Sequence, residues 1–173
     1  EYRNYQDAAL FKDNYRTEVK IQRLLAALAL CAVGLMPVSA HAESIITTSI
    51  TTAPGKSIDT SLYLPSKVPA PAILIAHGFG GSKDSVAGDA QFYASKGYVV
   101  LTWTARGFGK STGQIAMNSM TAEVADTREL ISYLAKSKYV TQDKSGDPRV
   151  GIMGGSYGGA NALMTASADS RID

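Results

Sequence analysis

Polar and apolar residues alternate with a period close to two in Ser44–Ile50 (SIITTSI) and again in Ser57–Leu64 (SIDTSLYL), both rich in β-branched side chains. Such alternation turns one set of side chains to a core and the other to solvent, so both segments read as strands. The turn residues Ala53, Pro54, Gly55 and Lys56 between them predict an antiparallel pair. Pro65 to Pro71 reads as a linker turn. Ala72–Ala76 (AILIA), Tyr98–Trp103 (YVVLTW) and Arg149–Met153 (RVGIM) are short apolar runs, the pattern of strands covered on both faces. Helical spacing appears in Ser85–Lys96, where Val86, Ala90, Tyr93 and Ala94 share a side and Gly97 offers a C-terminal cap. It recurs in Met120–Lys136, with Val124, Leu130, Ile131 and Leu134 on the apolar side, and in the Ala-rich Tyr157–Ala168. An antiparallel start followed by β-α-β-α-β-α predicts a three-layer α/β/α sandwich.

The first 42 residues do not fit that core. Lys20 and Arg23 precede the thirteen-residue apolar run Leu24–Met36, then Pro37 and the small-residue site Ala40-His41-Ala42, the order of a secretory signal peptide cleaved after Ala42. The run is too short to span a bilayer, which takes about 20 apolar residues, so no stable membrane anchor is expected after cleavage. Residues 1–18 carry four acids against three bases and make a poor leader for export. With translation starting at Val19, VKIQR supplies the positive leader instead, and 1–18 reads as upstream read-through. The expected organisation is therefore read-through at 1–18, signal peptide at 19–42 and an exported catalytic segment at 43–173, periplasmic or secreted.

Composition narrows the function. The chain has 173 residues, 45% hydrophobic and 18% charged, which suits a globular core. A formal net charge of +2 gives no basic footprint for nucleic acid. Cys31 is the single cysteine and lies inside the apolar leader, so the exported segment has no thiol to oxidise and none to ligate a metal.

The chemistry lies where the third apolar strand ends. Gly154-Gly155-Ser156-Tyr157-Gly158 is G-x-S-x-G between an apolar strand and a helix rich in small residues, the setting of a nucleophile elbow. A serine on so sharp a turn presses the residues two before and two after it against backbone, hence Gly154 and Gly158. Gly155 and Gly159 are expected to relieve the same crowding. The turn also lifts the Ser156 hydroxyl to a helix N-terminus, where amides and dipole favour negative charge. The plainer alternatives are a glycine turn with Ser156 as helix N-cap, or a phosphate loop; no G-x-G-x-x-G can be drawn, and no lysine follows.

His77-Gly78-Phe79-Gly80-Gly81 follows the Ala72–Ala76 strand directly, the position of the loop that gives a second oxyanion amide. The backbone N–H groups of Phe79 and Tyr157 are the expected oxyanion pair, and His77 is expected to fix the turn without reaching the nucleophile. Gly109-Lys110-Ser111 imitates the end of a Walker A loop, but Thr104 stands where its first glycine belongs, so no phosphate cradle is expected.

The combination of HGFGG at 77–81, ARGFGKSTG at 105–113 and GGSYGG at 154–159 resembles the α/β-hydrolase fold and, within it, the Xaa-Pro dipeptidyl-peptidase and acyl-esterase (S15, cocaine-esterase-like) family. The resemblance runs from about Ser44 to the C-terminus. That family commonly reads D-x-R-G-x-G-x-S-x-G after its fourth strand; here Thr104 takes the Asp position while Arg106, Gly107, Gly109, Ser111 and Gly113 are kept. Phe79 stands where some members use a tyrosine hydroxyl. The resemblance implies an exported serine hydrolase of peptides or carboxylic esters, without metal or organic cofactor, in which Ser156 forms an acyl-enzyme. The fold's order is Ser, then Asp or Glu, then His, yet only Asp169 and Asp173 follow Ser156 and no histidine does. The expected reading is thus an N-terminal fragment, truncated after the nucleophile helix and inert as given. Another esterase or lipase branch of the fold, or a non-catalytic binding module, are the alternatives.

Overall fold

The computed structural model describes Ala42 and residues 44–173. The expectations for residues 1–18 and for the signal peptide therefore fall, Ala42 apart, outside the described residues. Strands β1 (Ser44–Ala53) and β2 (Lys56–Leu64) form the antiparallel pair, turning at Gly55 with φ +68°. β1 is longer than its alternation suggested, because pairing continues past Ile50 through Thr51↔Ser57 to Ala53↔Lys56 with a bulge between them.

β3 (Ala72–Ala76) and β4 (Val99–Trp103), the latter apolar but for Thr102, run parallel to each other in register. β5 (Gln142–Lys144) and β6 (Asp147–Pro148) make a two-stranded ladder turning at Gly146, too short and too polar to stand out in the sequence. β7 (Val150–Gly154) pairs in parallel with β3, and β2 pairs antiparallel with β4, so the main sheet runs β1-β2-β4-β3-β7.

Three helices cover it: α1 (Ala87–Ser95), α2 (Glu123–Ala135) and α3 (Tyr157–Ala168). Two of them start later than their spacing suggested. Before α1, residues Lys83–Val86 tighten into a 3₁₀ turn, capped where Ser82 Oγ accepts from the Asp84 amide and Ser85 Oγ accepts from the Ser82 amide. Before α2, residues 119–122 form a turn whose Ser119 carbonyl accepts from the Ala122 and Val124 amides.

Pleating divides the core by alternate residues. Ile58, Leu62, Leu74, Val99, Leu101 and Val150 face α2 and α3, packing with Leu130, Ile131 and Leu134. Tyr63, Ile75 and Val100 face the other way, against Ala90 and Ala94 of α1. These are the three expected layers. Leu130, Ile131 and Leu134 are completely buried, each contributing about 1.5–3 kcal/mol by removal from water.

The far end of α3 is tied to α2 by charge. Asp169, buried just past the helix, accepts from Arg171 Nε (2.8 Å) and Nη2 (2.6 Å), and Arg128 Nε of α2 lies 3.5 Å away. The Arg171 hydrogen bonds hold the Asp169 carboxyl below the usual carboxylate range. A depressed folded pKa stabilises the fold above the unfolded pKa and loses that contribution as pH falls through the folded one. Asp169→Asn is therefore expected to lower the unfolding free energy by about 1–3 kcal/mol at pH 7. Denaturant titrations at descending pH should show this difference shrinking once the pH drops below the ordinary carboxylate range.

Candidate active site

Ser156 sits between β7 and α3 at φ +52°, ψ −119°, a backbone conformation that side-chain-bearing residues avoid unless the surroundings impose it. The surroundings here are backbone. A Cβ on Gly158 would lie 2.4 Å from the Ala76 carbonyl oxygen and 2.7 Å from that of His77; one on Gly154 would lie 2.7 Å from Gly158 C and 2.8 Å from Ala76 O. The start of α3 thus crosses the end of β3 at a separation only glycine allows. Gly159 meets Gly154 O at 3.1 Å, but a Cβ on Gly155 would meet nothing within 4 Å, so the expectation that Gly155 relieves crowding is corrected: that position faces open space.

Ser156 is exposed and its side chain makes no N-cap hydrogen bond, which removes the capping alternative. Behind the elbow, the cavity lined by Ala76, His77, Trp103, Ala105, Tyr157, Gly158 and Asn161 is about 10 Å³, room for one water at most.

Peptide planarity fixes the direction of the two amides of interest. The Ser156 carbonyl accepts from the Ala160 amide at 3.0 Å, along the helix, so the trans-related N–H of Tyr157 points out of the helix N-terminus. The Gly78 carbonyl accepts from the Gly81 amide (3.0 Å) and from His77 Nδ1 (2.7 Å), which turns the N–H of Phe79 to the opposite side of that peptide. Among the described residues, neither amide has a hydrogen-bond partner. The two residues adjoin: the Phe79 and Tyr157 rings meet edge-on with centroids 5.7 Å apart, and Phe108 packs against both at 5.3 and 6.0 Å.

His77 is buried and held at both ring nitrogens. Nε2 accepts from the Ala105 amide at 2.9 Å, so the proton lies on Nδ1, donated to the Gly78 carbonyl. The imidazole pins the 77–81 loop to the start of the 105–113 loop and has no nitrogen left for Ser156.

The 105–113 loop is built as a clasp. Arg106 grips Asp126 of α2 with Nε (2.6 Å) and Nη2 (2.8 Å). Ser111 Oγ donates to the Thr104 carbonyl (2.5 Å) and accepts from the Asp59 amide (2.9 Å), while the Thr112 amide donates to the Ser57 carbonyl. Gly107, at φ +77°, lies where a Cβ would collide with Ile115 at 2.7 Å. The glycine and serine spacing serves this fold-back onto β2, and Lys110 is exposed at its tip. Thr104, in the position where the resemblance led one to expect Asp, accepts from the Lys83 amide through Oγ1 (3.1 Å), and Lys83 Nζ is paired with Asp59 at 2.7 Å.

Sequence reasoning missed two residues beside Tyr157. Glu123, buried in the first turn of α2, accepts from the Ala116 amide (2.6 Å), the Ser119 amide (3.1 Å) and the Tyr157 hydroxyl (3.2 Å). Asn118, buried and at φ +61°, donates from Nδ2 to the Tyr157 carbonyl at 2.9 Å. Burial first, then the Glu123 charge, pushes the Tyr157 hydroxyl pKa far up, keeping it a protonated donor. An acid that accepts hydrogen bonds from residues before it and from another helix has no local spacing signature, though Asn at a left-handed position is a known preference. Among the described residues no group of three or more His, Cys, Asp or Glu is placed to hold a metal ion, and no helix is long and apolar enough to cross a membrane.

The close crossing can be tested by two alanines in one turn. Gly158→Ala is expected to destabilise the fold by about 2–4 kcal/mol, since backbone must move to admit the methyl. Gly155→Ala should stay within about 1 kcal/mol of wild type. Thermal unfolding of the two variants side by side reads the difference.

Comparison with known proteins agrees with this geometry. The quorum-quenching protein AidA of Acinetobacter baumannii is 35% identical over 114 residues, an overlap of 64% of this chain and 36% of that protein. Dipeptidyl aminopeptidase BIII of Pseudoxanthomonas mexicana is 32% identical over 114 residues, covering 62% of this chain but 16% of the relative. The chain therefore spans about a third or less of the length of these curated relatives. Among solved structures, a hypothetical protein from Pseudomonas aeruginosa superposes with a TM-score of 0.64 at 27% identity, over 79% of this chain and 42% of the other. The α/β hydrolase GrgF of Penicillium reaches a TM-score of 0.65 at 22% identity, over 75% of this chain and 43% of its own, a likeness of fold. Residues 54–172 match the X-Pro dipeptidyl-peptidase (S15) family, and with its G-x-S-x-G turn on an α/β-hydrolase sheet this chain belongs to that family.

Proposed function

We propose that this chain carries the nucleophile and oxyanion machinery of a serine hydrolase that acts on peptide N-termini or carboxylic esters through an acyl-enzyme on Ser156. The observation that carries the reading is the exposed Ser156 at φ +52° on a turn compressed by Gly154 and Gly158. A serine is held in so costly a conformation where the geometry has a use.

In the proposed reaction Ser156 Oγ attacks the substrate carbonyl carbon as its proton passes to a base, and the carbonyl oxygen becomes an oxyanion between the amides of Phe79 and Tyr157. Collapse expels the amine or alcohol, which takes a proton, and water then releases the acyl group by the same steps. Each oxyanion donor is worth about 3–4 kcal/mol of transition-state stabilisation, and the α3 dipole adds to it at the same point. His77 is committed to the two loops, so it is not the base that takes the Ser156 proton. On its own this chain is expected to hydrolyse substrates no faster than background. The A-x-A site before Ser44 supports an exported enzyme.

Peptidase and esterase chemistry share this machinery. Family membership and the dipeptidyl aminopeptidase relative favour a peptidase cutting after an Xaa-Pro unit. Thr104, which departs from the common pattern of that family, and Phe79, which stands where some members have tyrosine, keep an esterase of another branch of the fold as the second reading. Full-length protein should be labelled by a fluorophosphonate probe and lose the label in Ser156→Ala; labelling that survives the substitution refutes the assignment. Turnover of Ala-Pro-anilide against a short-chain nitrophenyl ester then separates the branches, and absence of cleavage after proline selects the ester.

A further inference from the structure

Tyr157 has two duties that pull on one peptide. Its amide is one of the proposed oxyanion donors, and its buried side chain and its carbonyl are both held by neighbouring elements. Three groups grip it. The hydroxyl donates to Glu123 Oε1 at 3.2 Å, the carbonyl accepts from Asn118 Nδ2 at 2.9 Å, and the ring is flanked edge-on by Phe79 and Phe108. The two polar partners belong to one unit. Glu123 takes the Ala116 amide on Oε1 and the Ser119 amide on Oε2, which brackets Asn118 and holds the 117–118 backbone at φ +52° and +61°. Nothing in helix formation requires this: Glu123 spends its acceptors on the segment before α2 and on the residue after the nucleophile, and Asn118 is held left-handed with its amide on the Tyr157 carbonyl.

We propose that Glu123 and Asn118 are positioning residues for the oxyanion hole, fixing residue Tyr157 through its hydroxyl and through the carbonyl of the peptide that follows it, so that the N–H on its other side meets the developing oxyanion. The inference rests on the reading of Ser156 as nucleophile. It follows from how a rigid donor acts: an amide already aimed at the position of the tetrahedral oxygen stabilises the transition state without reorganising, whereas a few tenths of an ångström of play weakens it there and leaves substrate binding almost untouched. A clamp of this kind therefore changes kcat more than KM.

The test uses full-length protein with whichever of Ala-Pro-anilide or a nitrophenyl ester it turns over. Tyr157→Phe removes one oxygen from a buried ring and keeps the packing, so it is the variant least exposed to misfolding. It is expected to lower kcat about 10- to 100-fold, less than the loss of a whole oxyanion donor, with KM within about threefold of wild type. Glu123→Gln keeps an acceptor for the hydroxyl but opposes one backbone amide with its own N–H, so its kcat should fall between those of wild type and Glu123→Ala. Asn118→Ala should lower kcat in the same range. In the double variant Glu123→Ala/Tyr157→Phe the combined loss should be smaller than the sum of the single losses, because both substitutions remove the one hydrogen bond between these residues. Inactivation by a phosphonate that mimics the tetrahedral intermediate should slow by the same factor as kcat/KM. Wild-type kcat in folded Tyr157→Phe and Asn118→Ala, with only the melting temperature lowered, overturns the positioning role and leaves the nucleophile assignment intact. Undiminished turnover in Ser156→Ala overturns the nucleophile reading and this inference with it.

Discussion

The site depends on one steric constraint: the first turn of α3 crosses the last residues of β3 so closely that a Cβ at Gly154 or Gly158 would strike the Ala76 carbonyl, and one at Gly158 that of His77 as well. A helix leaving a strand normally has room for a relaxed connection. Here the approach leaves Ser156 only the left-handed conformation that thrusts its side chain away from the sheet. The same crossing sets the start of α3 beside the end of β3, so the 77–81 loop and the helix N-terminus become neighbours. Exposure of the hydroxyl, direction of the Tyr157 amide and proximity of the Phe79 loop all descend from that contact.

Around it, the protein spends its buried polar groups on holding loops. His77 joins two of them through both ring nitrogens, Arg106 anchors the second to α2, Ser111 and Thr112 fold it back onto β2, and Glu123 secures the segment before α2. Most of these bonds join side chain to backbone, which suits segments without a ladder of their own to satisfy their amides. These bonds hold the loops that follow β3 and β4 and the segment before α2, at the end of a parallel sheet where α/β folds bind ligands.

Much of this was legible in the residues. The apolar runs at 72–76 and 98–103 read as strands covered on both faces, and all of their residues but Tyr98 lie in β3 and β4; G-x-S-x-G between a strand and an Ala-rich helix marked the sharp turn at Ser156. The alternation in β1 and β2 gave their pairing as well. What was not legible was long-range or weakly patterned. The β5–β6 ladder is a few polar residues long, and the delayed starts of α1 and α2 depend on side chains reaching backward, Ser82 and Glu123 among them. Gly155 looked like its neighbours in the sequence, and only the coordinates separated a glycine pressed against backbone from one facing solvent.

By itself the sequence determined the layer architecture and singled out the Ser156 turn and the two candidate amides, because hydrophobic period and short glycine motifs are local and each has few physical interpretations. Both histidines of these 173 residues stand before Ser156. The tertiary structure alone decided how far apart β3 and α3 lie, which amides point outward, that His77 is committed at both nitrogens, and that Glu123 and Asn118, 34 and 39 residues before Tyr157, meet it. Those facts are distances between segments remote in sequence. They are fixed by packing across the sheet, and no window along the chain contains them.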